Sequence, residues 1–106
     1  MNTILLVYVT HPNPDAAKRT AHHLLTKRLV ACANLFGVES AYWWQGAITG
    51  DAETVCLLKT SPEHKEAVRI AVESIHPYDI PCIVFMTAEA NDAFANWVRR
   101  ETQTSP

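Results

Sequence analysis

Ser40-Ala41-Tyr42-Trp43-Trp44-Gln45-Gly46 places two of three tryptophans and one of three tyrosines within seven residues of a 106-residue chain. Large aromatics alternate across the pleat of a strand, a Gln45-Gly46 turn follows, and a second extended run ends at Thr54-Val55-Cys56-Leu57-Leu58-Lys59-Thr60. A turn at Gln45-Gly46 leaves 14 residues on each side, 31–44 and 47–60, and equal arms favour that placement. At about 3.3 Å per residue each arm would reach roughly 46 Å unbroken, against about 17–20 Å for an ordinary strand. Gly37 and Gly50 are the expected bulge positions. Two short helices cannot cover such a ribbon, so its aromatic end is expected to dock on other subunits; left bare it would invite aggregation.

Upstream of the hairpin, Thr3–Thr10 carries a continuous Ile-Leu-Leu-Val-Tyr-Val run, the pattern of a strand covered on both faces. Asn13-Pro14-Asp15 starts a helix: Asn13 caps, Pro14 gives up no intrahelical bond, and Asp15 suits the positive end. Ala17, Ala21, Leu24 and Leu25 form its apolar stripe. Downstream, Ser61-Pro62-Glu63 repeats the start signal, and Ala67, Ala71 and Ile75, flanked by Val68 and Val72, give a second buried face. Arg69 can pair with Glu66 and Glu73 on the outer side, at roughly 0.2–0.5 kcal/mol each. His76-Pro77 ends this helix, because a residue before proline is pushed out of the helical region. Tyr78-Asp79-Ile80-Pro81 links to a strand over Cys82–Thr87, and Asn91 caps a last helix presenting Phe94, Trp97 and Val98. Residues 103–106 are expected to fray. The order β-α-β-β-α-β plus a C-terminal helix is that of an α+β ferredoxin-like sandwich in one domain over residues 1–106, with an extended β-hairpin.

Composition narrows the function classes. Nine basic against eleven acidic residues give a formal net charge of -2, which lacks the positive field of a nucleic-acid binder. Residues 39–92 hold three basic and nine acidic side chains, an acidic middle that attracts cations or simply solvates a surface. The apolar run Ile4–Val9 is too short for a signal peptide or a membrane span, so no membrane contact is expected. Cys32, Cys56 and Cys82 fit neither a metal knuckle nor a disulfide framework, and reduced thiols in the cytoplasm are the expectation. No phosphate loop, nucleophile elbow or His-Glu-x-x-His pair is present, so no enzymatic activity is expected.

Leu29-Val30-Ala31-Cys32-Ala33-Asn34, Ser40–Gly46 with Ala47-Ile48, Leu57-Leu58-Lys59-Thr60 and His76-Pro77-Tyr78-Asp79-Ile80-Pro81 resemble the CutA divalent-cation tolerance family, in order and spacing. The resemblance covers nearly the whole chain. It implies a compact cytoplasmic homotrimer of ferredoxin-like subunits joined by their hairpins. Bacterial members are associated with tolerance to copper and other divalent metals, and animal relatives with anchoring of a membrane-bound esterase. The copper ligands of one bacterial member, a cysteine and two adjacent histidines, correspond to Val9, Ile75 and His76 here, so two of three ligand side chains are absent.

His76 and Cys82 are the metal candidates, for copper or another divalent ion: an imidazole in a proline-stiffened loop and a soft thiol just after Pro81. Against them stand a helix-end histidine and a packed strand cysteine. Cys32 and Cys56 read as buried. Adjacent His22 and His23 point about 100° apart and lack the i, i+4 spacing of a metal grip. His11 lies close to the family's missing cysteine, and His64 is expected to face solvent. The alternative function is a small-metabolite cleft like that of trimeric nitrogen-regulatory signal proteins, built from Tyr42, Trp44, Lys59, His76 and Tyr78; a non-catalytic trimeric scaffold is the third.

Overall fold

The computed structural model describes residues 2–103, so the fraying expected at 104–106 lies outside the described residues. The elements are β1 (Asn2–His11), α1 (Pro14–Thr26), β2 (Cys32–Trp44), β3 (Ala47–Thr60), a 3₁₀ turn (Pro62–His64) leading into α2 (Lys65–Ile75), β4 (Ile83–Ala90) and α3 (Asp92–Glu101). The four strands form one sheet in the order β2-β3-β1-β4, every neighbour antiparallel. This is the expected split β-α-β arrangement. Leu5, Val7 and Val9 of β1 pack with Ala17, Ala21 and Leu24 of α1 and Val68, Ala71 and Val72 of α2. Removal of each large aliphatic side chain from water contributes about 1.5–3 kcal/mol. Ile4, on the opposite pleat of β1, packs under Ala95 and Val98 of α3. The unbroken apolar run of β1 is explained by these two cores.

Both ends of α1 are decided locally. Asn13 Oδ1 accepts from the Ala16 amide at 2.9 Å, as its position before Pro14 predicts. α1 ends in a Schellman motif: the Arg28 and Leu29 amides donate to the Leu25 and Leu24 carbonyls, each at 3.0 Å. Arg28 takes the left-handed conformation there, φ 56°, and its guanidinium reaches Glu101 Oε2 at 3.1 Å.

Several expectations need correction. Ser61 does not cap; its hydroxyl lies 3.4 Å from Thr102 Oγ1, and the chain enters α2 through the 3₁₀ turn instead. Asn91 occupies the cap position of α3 without a side-chain capping bond. The buried face of α2 is Val68, Ala71 and Val72, with Ala67 exposed and Ile75 39% exposed, so the stripe is rotated from the one expected. Leu25 is likewise 38% exposed, because Ala16, Ala17, Thr20, Ala21 and Leu24 already fill the contact with the sheet. β4 begins at Ile83 and runs to Ala90, leaving Cys82 in the loop. His64 is half-buried rather than solvated. Arg69 does pair with both Glu66 and Glu73.

The hairpin departs most from expectation. β2 and β3 keep one register from Cys32 opposite Lys59 to Trp44 opposite Ala47, with no bulge at Gly37 or Gly50. Neither glycine adopts a positive φ, and a Cβ added at Gly37 would meet nothing within 4 Å, so no local backbone demand interrupts the ladder. The closing turn has Gln45 at φ 50° and Gly46 at φ 81°, the paired positive values of a two-residue turn that matches strand twist. The ladder therefore runs unbroken from end to end, and the molecule measures 47 × 26 × 21 Å. Trp43 is 72% and Ile48 71% exposed at its end.

Candidate functional site

A cleft of about 770 Å³ opens between the outer half of the hairpin and the loop joining α2 to β4. β2 supplies Glu39, Tyr42 and Trp44, β3 supplies Glu53, and the loop supplies Tyr78, Asp79, Ile80 and Cys82. The loop holds its shape because His76 closes α2 in an extended conformation, φ -72° and ψ 136°, and prolines follow at 77 and 81. Tyr42, Trp44, Tyr78 and Cys82 thus line one cleft, whereas His76, the partner expected for Cys82 at a metal, is not in the lining. Lys59 does not: it lies on the inner half of β3, its ammonium 5.5 Å from the centre of the Phe94 ring. Its register opposite Leu6 and Cys32 puts it near α3 and far along the ribbon from Trp44.

His76 sits behind the cleft wall and both its nitrogens are engaged. Nε2 donates to the Thr10 carbonyl at 2.7 Å, and Nδ1 accepts from the Tyr78 amide at 3.1 Å. A carbonyl only accepts and an amide only donates, so these partners fix the Nε2–H tautomer and leave no free lone pair for a metal. The ring stacks on His11, centroids 4.8 Å apart. His11 is fully buried; its Nε2 lies 2.8 Å from Thr20 Oγ1, and Nδ1 has no hydrogen-bond partner among the described residues. Burial first, and the neighbouring His76 second, lower the His11 pKa from 6.5 to about 4.

The two phenols of the cleft are tied to carboxylates. Tyr78 Oη donates to Glu53 Oε2 at 2.6 Å, and Tyr42 Oη donates to Asp51 Oδ2 at 3.4 Å. Desolvation and the Glu53 carboxylate push the Tyr78 phenol well above its ordinary range; desolvation and Asp51 push Tyr42 in the same direction. Both phenols therefore stay protonated, and the short bond to Glu53 orients the Tyr78 ring. Glu53, Glu39, Asp79 and Ile80 were not singled out as ligand-cleft residues from the sequence. The signal for Glu53 lay in the hairpin itself: an uninterrupted ladder closed at Gln45-Gly46 sets Glu53 opposite Val38, on the same face as Tyr42.

A copper centre built from one chain does not fit these residues. Val9 is fully buried among aliphatics, Ile75 has no donor atom, and His76 is committed to Thr10 and Tyr78. Among the described residues no three His, Cys, Asp or Glu side chains converge to hold a metal ion. Cys82 is exposed and free, Cys32 half-buried, and Cys56 fully buried with its thiol pushed up to about 12 by desolvation. Among the described residues no helix is long and apolar enough to cross a membrane.

Fold and cleft together define the class: a ferredoxin-like α+β protein with an overlong hairpin and a crevice at its flank. The sequence profile of the CutA1 divalent ion tolerance protein matches residues 5–101, and the chain belongs to that family. It is similar to the divalent-cation tolerance protein CutA of Pyrococcus horikoshii, with 35% identity covering 94% of this chain and 99% of the relative. The solved periplasmic divalent cation tolerance protein CutA of Archaeoglobus fulgidus superposes with a TM-score of 0.92 at 34% identity, covering 94% and 99% of the two chains. A PII-like protein CutA from Nostoc sp. PCC 7120 superposes with a TM-score of 0.88 at 27% identity, covering 93% and 97%.

Proposed function

We propose that the protein serves divalent-cation tolerance as a non-catalytic cytoplasmic homotrimer, acting through the cleft beside each hairpin. The observation that carries the reading is the cleft, walled by Tyr42, Trp44 and Tyr78 and edged by Glu39, Glu53 and Asp79, on a chain of this family. The trimer rests on the long unbroken arm and its exposed indoles, which threefold association would cover. His76 positions the wall by holding the Thr10 carbonyl and the Tyr78 amide. A small-ligand role is supported by the volume of the cleft and by the likeness to the PII-like Nostoc protein. Direct uptake of copper or another divalent ion is the narrower second reading; of the two candidates His76 and Cys82, His76 is committed to Thr10 and Tyr78, so uptake would fall to the exposed Cys82 thiol on the cleft lining.

Metal titration of metal-free protein with copper(I), copper(II) and zinc, combined with sedimentation, tests both. The expected result is a three-chain particle with only weak metal uptake, unchanged in His76→Ala. A monomer sinks the trimer and the shared cleft. Tight stoichiometric uptake that is lost in both His76→Ala and Cys82→Ala transfers the function to direct metal binding.

A further inference from the structure

We infer that Thr20 and His11, two buried residues outside the cleft, are positioning residues for its wall. Thr20 fixes the His11 ring, His11 fixes His76, and His76 sets the backbone of the loop that carries Tyr78. Its functional weight rests on the reading that this loop walls the working cleft. Thr20 on α1 is 2% exposed and His11 at the end of β1 is 0% exposed, so the geometry of both is set within one chain. Neither residue lines the cleft.

The order of dependence follows from how few bonds each ring makes. His11 has one side-chain hydrogen bond, Nε2 to Thr20 Oγ1 at 2.8 Å, and its Nδ1 has no partner among the described residues. The outer torsion of a histidine is broad, so rotamer preference does not choose the ring plane and the single bond to Thr20 does. That plane matters because His76 stacks on it, centroids 4.8 Å and planes 30° apart. The plane of His76 in turn decides whether Nε2 meets the Thr10 carbonyl, at 2.7 Å, and Nδ1 the Tyr78 amide, at 3.1 Å. The Tyr78 ring packs on His76 as well, centroids 4.8 Å apart, and its hydroxyl reaches Glu53 on β3 at 2.6 Å. Five side chains from α1, β1, the end of α2, the loop and β3 therefore form one connected run. A hydroxyl on α1 stands at its far end from the cleft.

Valine has the shape of threonine without the hydroxyl, so a packing role for Thr20 would survive Thr20→Val and a positioning role would not. Amide hydrogen exchange and imidazole nitrogen shifts, read by NMR on the intact protein, separate the two. Thr20→Val is expected to speed exchange of the Tyr78 amide about tenfold relative to the Val7 and Leu58 amides of the core. His76 should pass from a single Nε2–H tautomer to a mixture. Thr20→Ser, which keeps the hydroxyl, should restore both readouts, and Thr20→Ala, which cannot overfill the site, should lose both as Thr20→Val does. Adding Tyr78→Phe to Thr20→Val should speed exchange of the amide at position 78 by less than the product of the two single effects, because both loosen the same run. Unchanged exchange and tautomer in Thr20→Val, or a loss that Thr20→Ser does not restore, overturns the inference and leaves the cleft reading as it was. If the exchange rates behave as expected while the cleft takes no ligand, the cleft reading falls and the positioning of the loop stands.

Discussion

His11 carries the sharpest consequence at the scale of single residues. Its folded pKa of about 4 lies below the ordinary 6.5, so the unfolded chain takes up a proton in a range where the folded chain does not. Stability is therefore full above about pH 6.5 and falls as the pH drops towards 4, by an amount of the order of 3 kcal/mol. Thermal midpoints measured at one protein concentration between pH 7 and 4.5 should trace this slope, and His11→Gln should flatten it. An unchanged slope in the variant assigns the pH dependence elsewhere. Tyr78→Phe leaves the half-buried Glu53 carboxylate without its 2.6 Å donor and should cost about 1–2 kcal/mol in denaturant unfolding, with the cleft's aromatic wall retained. The interest of His76 was legible from its place before Pro77. That its nitrogens are saturated was not, because Thr10 lies 66 residues away in sequence.

Among the elements, the hairpin is the most informative. Its turn, arms and aromatic end follow from the residues, since Gln45-Gly46 supplies the two positive φ angles and equal arms flank it. The bulges did not materialise because glycine permits a break without requiring one. The two glycine types should respond oppositely: Gly46→Ala, at φ 81°, should lower stability by about 1 kcal/mol, while Gly37→Ala, in open extended backbone, should raise it by about 0.4–1 kcal/mol. Loss at both positions in unfolding titrations would mean that Gly37 is under a constraint of the kind a bulge imposes. The helices teach a related lesson. Asn13 caps as expected, and Asn13→Ala should cost about 1 kcal/mol. Ser61, of the same chemical type, is drawn instead towards Thr102 beyond α3.

For the whole molecule, the 47 Å long axis and the exposed indoles of the hairpin set the problem that the proposed association would answer. Trp43→Glu places a charge where 72% of an indole is now exposed. In sedimentation at low micromolar concentration it should shift the proposed trimer towards monomer, with the far-ultraviolet spectrum of the sheet retained. If the wild-type chain already sediments as a monomer, the assembly and the shared cleft fall together. The same experiment separates a folding defect from an interface defect, because the two cores on either face of β1 are distant from the hairpin tip.

Local chemistry, legible from the residues alone, decided the order of elements, the hairpin turn, the cap of α1 and the Arg69 ion pairs, because each depends on side chains a few positions apart. Tertiary structure decided which faces of α1 and α2 are buried, that β2 and β3 pair without interruption, and that Glu53 meets Tyr78 while Lys59 goes to Phe94. These outcomes depend on how elements distant in sequence are brought together, as the strand and the loop that join Glu53 to Tyr78, 25 residues apart, show. Periodicity ranks the apolar positions of a helix but does not choose among neighbouring ones; the shape of the sheet beneath makes that choice.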